Sequence, residues 1–125
     1  MRRGYLLLVC ATFAAGGMTL IYRGPGWRWL RGWGGDALAA SALVFALSAA
    51  LAGRVRLVSR VAIAGFVATF IELGQLLPLS FRESGVFRLV LGARFDPMDF
   101  AWYAVGLFLA TLVCLRVERS VPRTR

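Results

Sequence analysis

Glu72 is the residue best placed to do chemistry, because it interrupts an otherwise apolar run from Val61 to Leu79. It stands twelve positions past Arg60, about 18 Å along a helix, so a bilayer-spanning run would put its carboxyl inside the hydrocarbon zone. An isolated charge there costs about 2.5–3.5 kcal/mol by insertion scales, so the carboxyl needs a partner, a wet cavity or a proton. Gln75 follows three residues on and is expected to share its face, together with Gly65, Ala68 and Thr69. Small residues on that face let another helix pack closely. Pro78 cannot donate to the carbonyl of Gly74, which predicts a kink that frees backbone polarity beside the acid. A structural clasp between helices is the plainest role for Glu72. An amide or hydroxyl would clasp at less cost, which favours a functional one.

Three further acids sit at helix starts. Gly34-Gly35-Asp36 reads as an N-cap, and Asp96-Pro97-Met98-Asp99 reads as N-cap, proline at the first helical position and an acid at the third. Asp99 is also expected to share a stripe with Tyr103, Gly106 and Ala110, whose small members invite close packing. Arg82, Arg88 and Arg94 fall between Glu72 and Asp96. They suit either of two tasks, neutralising the buried acids or, with helix N-termini, receiving a phosphate or carboxylate.

Other chemistry has little to work with. There is no histidine, and the two cysteines, Cys10 and Cys114, lie in separate apolar runs. No metal or haem spacing results, and no cofactor is implied. No nucleophile with an adjacent base is visible, which leaves an enzyme using Glu72 as general acid or base the weakest functional class. The stretch before Cys10 is too short for a signal-peptide core and the apolar run continues to Tyr22, so it reads as a retained helix.

The elements that must position these residues are apolar helices. Hydrophobic residues make up 59% of the chain and mean hydropathy is +0.71, beyond what a soluble domain of this size can bury. Four runs, about residues 5–22, 37–53, 61–79 and 98–115, are each long enough to cross a core of about 30 Å with snorkelling ends. The expected fold is therefore all-α, a four-transmembrane-helix bundle forming one polytopic membrane domain. Gly24 to Trp33 alternates Trp with Arg and is expected to be an interfacial loop. Ser80 to Pro97, with its apolar Val86-Phe87-Arg88-Leu89-Val90-Leu91, is expected to lie at the interface or re-enter the protein.

The formal charge of +9 comes from 15 arginines against 6 acids. The arginines cluster in short groups between apolar runs, which suits lipid headgroups rather than nucleic acid. Nine of them (Arg2, Arg3, Arg54, Arg56, Arg60, Arg116, Arg119, Arg123 and Arg125) fall on the side of both termini and six on the other. The positive-inside rule then places both termini in the cytoplasm.

Gly35-Asp36 opening a helix, Glu72-x-x-Gln75, Arg88, Leu91-Gly92-x-x-Phe95 and Asp99-x-x-x-Tyr103-x-x-Gly106 together resemble the small bacterial membrane proteins grouped as DUF2809, over roughly residues 20 to 115. More distantly the series is similar to the VanZ-like proteins, linked to glycopeptide-antibiotic resistance and the cell envelope, with a departure at Tyr103, where those proteins usually carry Asn. The resemblance implies a multi-pass protein of the bacterial cytoplasmic (inner) membrane.

The function expected first is a binding module whose outer-half cluster of Asp36, Glu72, Gln75, Arg82, Arg88, Arg94, Asp99 and Tyr103 holds an anionic or polyprenyl-linked lipid headgroup. A structural or assembly subunit that binds another membrane protein or its own copy ranks second. A proton-coupled carrier, which would need a homodimer to gain room for alternating access, ranks third.

Overall fold

The computed structural model describes residues 1–76 and 96–120. Within them the chain forms four long helices: α1 (Arg2–Ile21), α2 (Trp27–Leu51), α3 (Leu57–Gly74) and α4 (Pro97–Ser120). All four are long and apolar enough to cross a membrane. None carries proline beyond its first position, and apolar residues surround each helix rather than lining one stripe, as expected of segments covered by lipid. Large apolar side chains point outward along their length, among them Phe13, Ile21, Val58 and Phe66, the last 73% exposed. Water would not tolerate that surface; hydrocarbon does.

The breaks between helices follow from local sequence. Tyr22 turns extended after α1, and Gly26 adopts a left-handed φ of 74° to admit α2. Gly53 does the same at 84° after α2, a conformation that glycine reaches without a Cβ penalty. α3 ends at Gly74 and a turn carries the chain through Gln75 and Leu76. That is earlier than the expected Leu79. The missing N–H of Pro78 and the aversion of its preceding residue to helical backbone account for an early stop. The expected Pro78 kink and the expected interfacial or re-entrant segment lie outside the described residues.

One expectation is corrected. The Trp/Arg stretch is a loop only as far as Gly26, because residues from Trp27 onward already belong to α2. Trp27–Trp29 form a first turn, Leu30–Gly34 a wider π-helical turn, and regular helix resumes at Gly35. Gly32, Gly34 and Gly35 argued for a break, but a π-turn accommodates them without one. The stacking of Trp33 on Trp102 of α4, with ring centroids 5.7 Å apart, secures the early turns from outside the helix. Asp36 is therefore not an N-cap; it lies inside α2.

α2 is the central element and packs against α1, α3 and α4, while α1 rests mainly on α2. The core between them is built from Tyr5, Val44, Phe45, Ala49, Ala64, Ala110 and Cys114. Its small members bring backbones close, which is how helices associate where lipid removes the ordinary hydrophobic drive. Both cysteines are free: Cys10 faces outward and Cys114 is buried.

Candidate functional site

α3 presents one buried stripe, Arg60, Ala64, Ala68 and Glu72, continued by Gln75 beyond its end. These positions recur every three or four residues and so share a face. Thr69, expected on that face, is exposed instead, and Gly65 is flanked by Leu107 of α4. The stripe follows the i, i+4 row, which Thr69 leaves.

Glu72 is fully buried and inward-facing. Its Oε2 accepts hydrogen bonds from Gln75 Nε2 at 3.0 Å and from the Tyr103 hydroxyl at 3.3 Å. Its Oε1 accepts the backbone N–H of Asp96 at 3.3 Å. The carboxyl thus ties α3 to the start and second turn of α4. Asp96 in turn caps α4, its Oδ1 accepting the N–H of Met98 at 3.0 Å. That arrangement answers the orphan amides of a helix N-terminus.

Asp36 faces Asp99 across the contact between α2 and α4, with Glu72 and Asp96 close by. Gly106 makes this possible. A Cβ there would sit 2.1 Å from the carbonyl oxygen of Ala37, so α2 and α4 cross in near backbone contact. The Ser41 hydroxyl sits at the crossing, its one hydrogen within reach of the Ala37 carbonyl of its own helix at 2.8 Å and of the Gly106 carbonyl at 3.0 Å. Trp29, Trp33 and Trp102 stack on the same end, Trp29 meeting Trp102 edge-on at 5.3 Å. Four of the 6 acids of the chain therefore gather at one end of the bundle.

Of the candidates read from sequence, Asp36, Glu72, Gln75, Asp99 and Tyr103 come together there. Arg82, Arg88 and Arg94 lie outside the described residues. Among the described residues no three His, Cys, Asp or Glu side chains are arranged to hold a metal ion. The only ion pair among them is at the opposite end. Two apolar grooves, about 360 Å³ between α1 and α2 and about 290 Å³ between α3 and α4, have no acid in their lining.

Sequence reasoning overlooked that opposite end. Arg60, counted above only among the arginines on the side of the termini, is just 2% exposed. Its Nη2 pairs with Glu118 of α4 and its Nε donates to the Val55 carbonyl at 3.1 Å. The Tyr5 hydroxyl of α1 donates to the same Glu118 oxygen at 3.1 Å. Ser48 Oγ of α2 lies 3.7 Å from Cys114 Sγ nearby, so all four helices meet in one polar knot. The available signal was the repeat Arg60, Ala64, Ala68, Glu72, which puts the arginine on the buried row.

Over residues 26–107 the sequence matches the family described as protein of unknown function (DUF2809). The chain belongs to the DUF2809 family. The matched span runs from the start of α2 into α4 and contains Asp36, Glu72, Gln75, Asp96, Asp99, Tyr103 and Gly106, the whole acid-bearing end as described. Tyr5, Cys114 and Glu118 fall outside it. No curated protein and no solved structure matches the chain.

Proposed function

We propose that this DUF2809 member is a cell-envelope binding module whose acid-bearing end holds the headgroup of an anionic or polyprenyl-linked membrane lipid. The observation that carries the reading is the gathering of Asp36, Asp96 and Asp99 around a buried, triply hydrogen-bonded Glu72. A clasp between helices needs one polar pair; four carboxyls repel one another and call for cations and donors between them. The segment linking Gln75 to Asp96, the two residues that flank Glu72, brings Arg82, Arg88 and Arg94. In this reading those guanidinium groups hold the anion, and the acids anchor them and accept hydroxyls of the headgroup. The motif resemblance to VanZ-like proteins, if it extends to function, implies the same envelope setting.

Glu72→Gln is the discriminating change, since it keeps shape and hydrogen bonding while removing charge. Native mass spectrometry of the protein from nanodiscs containing phosphatidylglycerol, polyprenyl phosphate and phosphatidylcholine should show selective retention of an anionic lipid. The Glu72→Gln and Arg88→Gln variants should insert and fold yet lose that retention. No selectivity in the unaltered chain, or full retention by both variants, would refute the reading.

The facing of Asp36 and Asp99 favours one second reading, a proton- or cation-coupled carrier, because a pair of opposed carboxyls accommodates such an ion between them. Proton flux into proteoliposomes, lost in Asp36→Asn, would mark that activity; its absence would leave the binding module alone.

A further inference from the structure

We propose that the end of the bundle opposite the acids carries a second site, centred on Arg60, that takes the phosphate of a lipid headgroup and is closed in this structure by Glu118. Three observations carry it. Arg60 is 2% exposed, and its Nη1, fully shielded, has no hydrogen-bond partner among the described residues. An arginine so buried ordinarily satisfies its fork of donors, and a guanidinium edge fits a two-oxygen acceptor. Glu118 meets that fork with one oxygen only, and the same oxygen also receives the Tyr5 hydroxyl.

The Glu118 carboxylate thus occupies a small oxyanion cradle made by α1 and α3 and fills it incompletely. A phosphodiester, with two non-bridging oxygens that each accept more than one hydrogen bond, would take Tyr5 Oη–H and both Arg60 amino groups together. Glu118 is free to leave, being 29% exposed and within the last turn of α4. Arg2, Arg3, Arg54, Arg56, Arg116 and Arg119 ring this end, all of them exposed, and would draw an anionic headgroup to it. Exchange of one anion for another leaves the buried guanidinium charge compensated throughout, the condition a desolvated arginine imposes.

The test uses the full chain in nanodiscs of phosphatidylglycerol with phosphatidylcholine, counting retained phosphatidylglycerol by native mass spectrometry. Glu118→Gln should raise retention by about fivefold over the unaltered protein, the change expected when a charged competitor is removed. Adding Tyr5→Phe should reduce that gain, and adding Arg60→Gln should abolish it. Glu72→Gln should leave the gain intact, which separates this site from the acid-bearing end. Should Arg60→Gln fail to fold, Arg60→Lys keeps the charge but loses the fork and should still lower retention. Displacement by millimolar inorganic phosphate would identify the free anion as a ligand too, and resistance to it would assign the site to lipid-held phosphate. The proposal is overturned if Glu118→Gln retains no more phosphatidylglycerol than the unaltered chain, or if the gain survives loss of the Arg60 fork.

Discussion

Gly106→Ala should be the most damaging single methyl that can be added to the bundle. The new Cβ would lie 2.1 Å from the Ala37 carbonyl oxygen, 2.8 Å from its carbonyl carbon and 2.9 Å from its Cα. Ordinary contact begins at 3.4 Å, so α2 and α4 must part by about 1.3 Å at this point. The obstacle is backbone, which has no rotamer to escape into. Overpacking of this kind costs about 1–3 kcal/mol. Separation would also take the Ser41 hydroxyl away from the Gly106 carbonyl, at little cost because the Ala37 carbonyl of its own helix, at 2.8 Å, still accepts it. A loss of about 1–3 kcal/mol is therefore expected, although glycine to alanine inside a helix ordinarily gains up to about 1 kcal/mol. The assay is unfolding from mild detergent by denaturing detergent, followed by the fluorescence of Trp29, Trp33 and Trp102, which bridge α2 and α4. Two controls bracket the result. Gly65→Ala meets only the flexible tip of Leu107 at 3.3 Å, and Gly16→Ala meets nothing within 4 Å; both should unfold close to the unaltered protein. If Gly106→Ala lies within about 0.5 kcal/mol of those controls, the close crossing that sets Asp36 against Asp99 is refuted.

Three other expectations are open to direct measurement. A reporter fused after Arg125 should be active in the cytoplasm and one inserted at Ser84 only outside; the reverse pattern would overturn the orientation inferred from arginine counting. Cys10, facing lipid, and Cys114, packed inside, should both resist maleimide in the folded protein and react after unfolding, with no disulfide between them, and each should accept Ser or Ala with little loss of lipid retention. Tyr5→Phe should loosen α1 by about 0.5–1.5 kcal/mol, read as faster proteolysis or greater mobility of a spin label at Arg3; unchanged behaviour would mean the Glu118 contact holds nothing.

Much of the architecture was legible in the sequence because lipid-covered helices declare themselves locally. Uninterrupted apolar runs need no partner to be recognised, and the four runs observed overlap the four expected. The Asp96 cap was legible for the same reason, since an acid, a proline and a helix start are neighbours in sequence. The inward face of Glu72 followed from the expense of leaving a carboxylate in hydrocarbon, which holds whatever the neighbours are.

What the sequence could not supply was every decision made between helices. The Gly34-Gly35-Asp36 segment carries a strong local signal for a helix start, yet Trp33 stacking on Trp102 holds the preceding turns helical and moves Asp36 inside α2. Arg60 has the look of a loop charge until Tyr5 and Glu118, from the first and last helices, converge on it. Asp36 and Asp99, separated by about half of the chain, meet only because Gly106 lets two backbones touch. Hydropathy, capping and burial cost act within a helix turn or two, and a single sequence displays them. Pairing of helices depends on which small residue faces which backbone across a crossing, and that is fixed only when all the helices pack together.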